Sequence, residues 1–210
     1  MKSIFISIAM VVISFIAAQQ NPEKYGLVNK DLPEGLGVGE TAPLIEATDQ
    51  NGDKFELREA LKEGAVVLTF YRGNWCPYCS RYLASFSEAI KDIESAGGIV
   101  VAVSPEVEAE VAIASVNSKE GNLTMLHDAD GKIMRAYNVD FKVTRAYQDK
   151  LSAKFKVNLK EHNNQDTAVL PVPATYIINK DGAIIYRYFN LDYSRRAPIE
   201  ELLRVLKEAG

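Results

Sequence analysis

The composition of this 210-residue chain, with 47% hydrophobic and 25% charged residues, excludes disordered and collagen-like proteins. The formal net charge is −4. Acids and bases are scattered along the chain, and no run of lysine or arginine is present that could follow a phosphate backbone. We therefore expect an ordinary globular protein without a nucleic-acid partner.

The N-terminus has the pattern of a secretory signal peptide. Lys2 precedes an apolar stretch from Ile4 to Ala18, which is shorter than the roughly 20 apolar residues that a membrane-spanning helix needs. We therefore expect residues 1–18 to be removed, and the mature protein to be periplasmic or secreted without stable membrane association. A retained membrane anchor is the alternative.

Two short extended segments are predicted near the start of the core. Residues 19–38 are polar, contain prolines and glycines and lack periodicity, which predicts a linker or loosely docked arm. Residues 45–57 then predict two short strands around Asn51-Gly52, a strong hairpin-turn signal. We therefore take residues 39–210 as the folded domain.

A strand, a helix and a second strand follow in the sequence. Residues 65–71 form an apolar run without alternation, as expected of a strand that is buried on both faces. From Pro77 the apolar residues recur with a helical period, and this pattern stops at Gly97-Gly98. Residues 99–103 predict a second buried strand, which favours a parallel pair with a right-handed crossover.

The rest of the chain continues the alternation of helices and strands. Helices are predicted over residues 106–118, 132–137, 143–155 and 199–206, and strands over residues 123–127, 175–178 and 183–189. The last two strands are joined by a glycine turn, and the polar residues 158–167 are interpreted as a surface insertion. The fold class is therefore α/β, with a central mixed sheet flanked by helices and an N-terminal β-hairpin extension.

The chain contains only two cysteines, Cys76 and Cys79. Disulfides persist in an exported compartment, but a pair this close in sequence closes a very small loop and stabilises the fold little. A zinc site would need two further ligands, and the only histidines, His127 and His162, lie too far apart to form a local ligand pair. We therefore interpret the pair as redox-active and expect no metal and no other cofactor.

The two cysteines lie where the predicted buried strand ends and the next helix begins. Unpaired amides and the helix dipole at this position lower the pKa of a thiol. Pro77 suits the first helical position because it has no amide hydrogen, and Trp75 limits the access of water. This strand-to-helix context indicates a thiol-disulfide centre.

Three segments carry a resemblance to a known family. They are Gly39-Glu40-Thr41-Ala42-Pro43, the run from Phe70 to Cys79, and Val172-Pro173-Ala174-Thr175-Tyr176-Ile177-Ile178 with Asp181-Gly182. The chain from Gly39 onward resembles the peroxiredoxin-like branch of the alkyl hydroperoxide reductase and thiol-specific antioxidant (AhpC/TSA) family. The resemblance implies a thioredoxin-like fold and a cis peptide bond before Pro173, beside the active cysteines. A strand-entry proline is the alternative.

The cysteine motif departs from that of ordinary peroxiredoxins, which have a proline, three residues, a threonine, two residues and then the attacking cysteine. In this register Arg72 replaces the proline, Cys76 replaces the threonine, and Cys79 takes the place of the attacking cysteine. The peroxidase alignment therefore nominates Cys79 as the nucleophile, whereas thioredoxin-like exchange nominates Cys76.

The resemblance implies a thiol-dependent peroxidase that reduces hydrogen peroxide and organic hydroperoxides. One cysteine becomes a sulfenic acid and the other captures it as a disulfide, which an external dithiol such as a thioredoxin-like protein then reduces. Arg72 is a candidate to stabilise the thiolate and the departing hydroxide. The alternatives are an exported protein disulfide oxidoreductase that attacks through Cys76, and a binding module with an inert disulfide.

Overall fold

The computed structural model describes residues 21–28, 32–107, 110–111 and 123–210. The expected signal peptide and most of the helix expected over residues 106–118 lie outside these described residues. Among the helices that are described, none is both long and apolar enough to cross a membrane.

The described part of the chain contains both strands and helices. The strands are β1 (Glu46–Thr48), β2 (Lys54–Glu56), β3 (Ala65–Phe70), β4 (Gly98–Ser104), β5 (Thr124–His127), β6 (Asp140–Lys142), β7 (Val169–Pro171), β8 (Ala174–Ile178) and β9 (Ile184–Phe189). The α-helices are α1 (Leu57–Glu63), α2 (Pro77–Ser95), α3 (Lys132–Ala136), α4 (Arg145–Phe155), α5 (Leu159–His162) and α6 (Ile199–Ala209). A 3₁₀ helix (Pro22–Tyr25) precedes them.

Five strands form a central sheet in the order β5-β4-β3-β8-β9. β3, β4 and β5 are parallel. β8 pairs antiparallel with β3, and β9 pairs antiparallel with β8, so that β8 alone runs against the other four strands. Residues 66–70 of the middle strand β3 are all buried, which explains why the sequence shows no alternation there. The predicted mixed α/β sheet is confirmed, and so is the N-terminal hairpin, in which β1 pairs with β2.

Helices cover both faces of this sheet. The apolar faces of α2 and α6 pack on one face, while α1 and α3 pack on the other. Within β3 the side chain of Val67 points into the first layer, and those of Val66 and Leu68 point into the second. Because β3 is held from both sides, the loop that follows it starts from a rigid strand end.

A third apolar cluster lies beside the sheet and joins α4, the β6–β7 pair and the 3₁₀ helix. Tyr25 and Leu27 are buried in it, and the amide of Thr144 donates to the carbonyl of Gly26 at 2.9 Å. Residues 21–28 are therefore firmly docked, and the expectation of a loosely docked arm is wrong for them. The expected insertion over residues 158–167 includes α5, whose Leu159 belongs to the same cluster.

The peptide bond before Pro173 is trans, since the described residues contain no cis peptide bond. The expectation of a cis bond is therefore wrong. The amide of Val172 donates to Val139, and the carbonyl of Pro173 accepts from Asn190, so the pairing of β7 and of β8 continues through these residues. The chain crosses between the two strands without the tight turn that favours a cis bond, and the ordinary trans preference prevails.

Candidate active site

The loop after β3 brings both cysteines to the start of α2. Cys76 is the residue that caps this helix, and Pro77 follows at its first position, as predicted. The amide of Cys79 donates to the carbonyl of Cys76 at 2.9 Å. Both cysteines are reduced and buried, with 2% of Cys76 and 1% of Cys79 exposed. Bulk water therefore contributes little to the solvation of either residue, and the protein itself must stabilise most of any charge that they carry.

Cys79 is the sulfur at which the protein stabilises a negative charge. The Nη2 atom of Arg196 donates to its Sγ atom at 3.4 Å. Burial alone would raise the pKa of Cys79, but the hydrogen bond from Cys76 and the charge of Arg196 outweigh it and lower that pKa to about 5. At neutral pH Cys79 is therefore a thiolate, which is the reactive form of cysteine.

Cys76 behaves in the opposite way. The hydrogen bond that its thiol directs to Cys79 raises the pKa of Cys76 above its usual range, and burial adds to the increase. The two residues therefore titrate as a pair that holds one proton and one negative charge at neutral pH. Cys79 carries most of the charge, and Cys76 holds the proton.

Arg72 is a buried cation without a carboxylate partner. It is 2% exposed, and none of the ion pairs in the described part of the chain includes it. Its guanidinium lies over the rings of Tyr193, Trp75 and Tyr147, with centroid distances of 4.1, 4.9 and 5.5 Å. A buried charge is costly unless it is compensated, and the charge of Arg72 lowers the pKa of Cys79. The thiolate is therefore its counter-charge.

A cavity of about 230 Å³ opens onto Cys76 rather than onto Cys79. Tyr147, Leu151 and Phe155 of α4 form one wall, because residues four apart lie on the same face of a helix. Five of the eleven lining residues are aromatic, namely Trp75, Tyr78, Tyr147, Phe155 and Tyr193. A substrate that enters here meets the Cys76 side of the pair first.

Glu106 is a buried carboxyl that supports the cysteine loop. It follows β4, is 0% exposed, and its Oε2 atom accepts from the amide of Asn74 at 2.8 Å. Burial raises the pKa of Glu106 to about 8. Gly73 has a φ of +146°, and a Cβ there would lie 2.6 Å from Glu106 and 2.4 Å from Trp75. Only glycine fits this position.

Replacing Glu106 with glutamine should flatten the pH dependence of stability. The folded pKa of Glu106, about 8, lies above its ordinary value of 4.5, so the folded protein holds a proton that the unfolded chain releases. The resulting stabilisation is complete below the ordinary pKa and is lost as the pH rises through about 8. Glutamine still accepts from Asn74 but does not ionise. Urea midpoints measured across this range should fall more steeply for the wild type than for Glu106→Gln, and parallel curves would contradict the assignment.

The structure brings together most of the site residues that the sequence predicts. Arg72, Trp75, Cys76 and Pro77 all line the cavity. Pro173 is buried at the entry to β8 but is not among the lining residues.

Several site residues were missed by sequence reasoning, namely Arg196, Glu106, Tyr147 and Tyr193. A signal for Glu106 was present, because a carboxyl directly after a buried strand lies at the same sheet edge as the cysteine loop. The sequence carries no comparable signal for Arg196, which is 117 residues from Cys79.

The fold and the site together define a thiol-based oxidoreductase. The AhpC/TSA family model matches residues 38–187, and the chain belongs to this family. A curated relative, thiol-disulfide oxidoreductase ResA of Bacillus thuringiensis subsp. konkukian, is 24% identical over 154 residues, which cover 72% of this chain and 69% of that protein. ResA of a Bacillus cereus strain is 31% identical over 80 residues, which cover 38% of this chain and 44% of that protein.

Solved structures of peroxiredoxins have the same fold. Peroxidoxin BcpB of Mycobacterium tuberculosis superimposes with a TM-score of 0.64 at 19% identity, covering 82% of this chain and 97% of that one. The mitochondrial 2-Cys peroxiredoxin of Plasmodium falciparum gives a TM-score of 0.59 at 20% identity, covering 82% and 93%. The thioredoxin-like fold is therefore confirmed.

Proposed function

We propose that the protein is a thiol peroxidase, in which Cys79 attacks hydroperoxides and Cys76 closes the disulfide. The observation that carries this proposal is the Cys79 thiolate, which Arg196 contacts at 3.4 Å and whose pKa is lowered to about 5. A peroxide-reducing cysteine must be ionised at neutral pH. The register of the AhpC/TSA motif nominates the same residue.

The first step oxidises Cys79 and reduces the peroxide. The thiolate attacks the terminal peroxide oxygen, so that an S–O bond forms while the O–O bond breaks. The leaving alkoxide, or hydroxide for hydrogen peroxide, takes up the proton of the Cys76 thiol, which lines the cavity. Arg72 also lines this cavity, and its charge stabilises the negative oxygen as it departs.

The second step closes the disulfide. Cys76, now a thiolate, attacks the sulfur of the Cys79 sulfenic acid, and an S–S bond forms as hydroxide leaves and is protonated to water. An external dithiol of the thioredoxin type then reduces the disulfide by exchange. The reaction needs no metal and no bound cofactor, because both electrons come from the two thiols.

A coupled assay tests this function. The reduced protein is supplied with hydrogen peroxide or an organic hydroperoxide in the presence of thioredoxin, thioredoxin reductase and NADPH. We expect NADPH consumption that depends on both the peroxide and the protein. Oxidised protein that thioredoxin cannot reduce, together with no turnover of any peroxide, would favour the inert binding module instead.

Protein disulfide exchange is the second candidate function, and one observation favours it. Cys76, not Cys79, lines the cavity, and disulfide exchange requires an attacking sulfur that a partner can reach. In that case Cys76 attacks the partner and Cys79 resolves the mixed disulfide. Reduction of insulin disulfides faster than reduction of any hydroperoxide would support this candidate over the peroxidase.

We also propose that the protein is exported, with residues 1–18 removed as a signal peptide. The support is the charge of Lys2 ahead of a short apolar stretch, in residues outside the described part of the structure. The mature protein is then periplasmic or secreted. Intact-mass analysis of protein from its native host should show a chain that lacks about the first 18 residues. Full-length protein in the membrane fraction would contradict export by cleavage.

A further inference from the structure

The cavity above Cys76 is much larger than hydrogen peroxide requires. Its volume is about 230 Å³, whereas a water molecule occupies about 30 Å³ in the liquid. The space therefore accommodates roughly eight groups of the size of a methylene or a water molecule. Because eight of the eleven lining residues are aromatic or otherwise apolar, filling this space with water is unfavourable. An apolar group of several carbons is the better occupant.

The mouth of the cavity is positively charged. Arg81 and Lys154 are exposed and line the cavity, and no ion pair in the described part of the chain includes either of them. The lining residues include no aspartate or glutamate. Arg72 at the inner end is balanced by the Cys79 thiolate, whereas Arg81 and Lys154 at the mouth have no compensating carboxylate among the lining residues. Its charge therefore complements an anion.

The aromatic rings do not provide a site for a cationic ligand, although such rings attract cations. Each ring already has a cation of the protein over it. Arg72 lies over Trp75, Tyr147 and Tyr193. Arg81 lies 4.7 Å from the Tyr78 centroid, and Lys154 lies 5.1 Å from that of Phe155. A ligand cation would compete with these side chains for the rings and would be repelled by their charges.

We propose that this cavity binds the body of an anionic, amphipathic organic hydroperoxide, whose acid group lies at Arg81 and Lys154 and whose peroxide group reaches the cysteine pair. This inference rests on the proposed peroxidase function and specifies its substrate class. The apolar part of the substrate fills the aromatic section between the two charged ends, and the alcohol product leaves by the same mouth.

Fluorescence of Trp75, the only tryptophan of the chain, reports occupancy of the cavity directly. The reduced protein is titrated with octanoate, 1-octanol and octyltrimethylammonium, which share one chain length and differ in charge. We expect a saturable change with octanoate at an affinity at least about tenfold above that of octanol, and no saturable change with the ammonium probe. Equal affinities for octanoate and octanol, or tighter binding of the ammonium probe, would overturn the proposal.

Charge-reversal variants test whether the preference for octanoate over octanol arises from the charges at the mouth of the cavity. The double variant Arg81→Glu/Lys154→Glu should lose the preference for octanoate. The matched control Lys91→Glu/Lys207→Glu changes the net charge equally at exposed positions that do not line the cavity, and it should keep that preference. Unchanged octanoate binding in the Arg81/Lys154 variant would contradict the assignment.

Measurements of turnover distinguish failure of the proposed substrate class from failure of the proposed peroxidase function. A fatty-acid hydroperoxide should be reduced with a kcat/KM at least about tenfold above that of its methyl ester, and the Arg81/Lys154 variant should remove this difference. Hydrogen peroxide turnover without any preference for the acid over the ester would overturn the substrate class and leave the peroxidase function intact. Octanoate binding without reduction of any hydroperoxide would support the anion site and contradict the peroxidase function.

Discussion

Cys79→Ser should abolish peroxide consumption, because the thiolate that Arg196 and Arg72 stabilise is removed. Cys76→Ser should instead permit one turnover and then stall, since Cys79 still attacks the peroxide but no second thiol resolves the sulfenic acid. The measurement combines loss of peroxide with dimedone labelling and mass spectrometry. Only the Cys76→Ser protein should carry a trapped sulfenic acid, and it should be on Cys79.

The opposite pattern identifies a disulfide exchange enzyme. In that case Cys76→Ser is the inactive variant, and Cys79→Ser accumulates a mixed disulfide with its substrate, since the resolving thiol is missing. A readily trapped mixed disulfide on Cys76, with no sulfenic acid on Cys79, would contradict the peroxidase account. Both serine variants are nearly isosteric with cysteine, and their melting temperatures provide the control for folding.

Arg72→Met should lower the rate constant for peroxide reduction by about 100-fold, the usual effect of removing one preorganised group that stabilises a developing oxygen anion. Methionine retains much of the length of arginine and its contact with the aromatic rings, but it removes the positive charge. That charge lowers the pKa of Cys79, so thiolate absorbance at 240 nm should also titrate at a higher pH. Stopped-flow kinetics and this titration check the two effects separately.

Arg195→Met is the matched control for Arg72→Met. Arg195 is exposed and pairs with Asp192 at 3.7 Å, and it does not line the cavity. We expect the wild-type rate and the wild-type thiolate titration for this variant, because an exposed ion pair contributes little. Wild-type behaviour of Arg72→Met as well would contradict a role for Arg72 in stabilising either charge.

The elements that the sequence predicts well are those with a long, regular apolar pattern. β3, α2 and β4 follow each other without interruption in the sequence, and the structure places all three close to the predicted bounds. Burial on both faces of β3 and on one face of α2 fixes which positions must be apolar. The resulting pattern lies within each segment and can therefore be recognised from the local sequence.

Some short elements could not be predicted in this way. α1 spans seven residues, and β6 and β7 span three residues each, which is too few for a period to be recognised. β1 and β2 are equally short, but the Asn51-Gly52 turn signal between them indicates a hairpin. β6 and β7 are held by the third apolar cluster, to which Phe141 and Leu170 contribute. Tertiary packing thus stabilises these two strands, and the residues of the strands alone give no signal that predicts them.

The chemistry of the cysteine pair is likewise only partly a local property. The position of Cys76 and Cys79 at a helix start follows from the strand and helix patterns on either side. These patterns do not determine which of the two cysteines is ionised. That depends on Arg196, which contacts Cys79 although the two lie 117 residues apart in the sequence. Sequence reasoning therefore identified the pair but left its nucleophile open.

A single-turnover reaction tests the central claim most directly. Fully reduced protein is mixed with one equivalent of hydroperoxide, and peroxide, free thiols and protein mass are measured over time. We expect one peroxide to disappear for each pair of thiols lost, as Cys76 and Cys79, the only cysteines, join in a disulfide. Peroxide that persists beside intact thiols, in a sample that still reduces a protein disulfide, would contradict the peroxidase function.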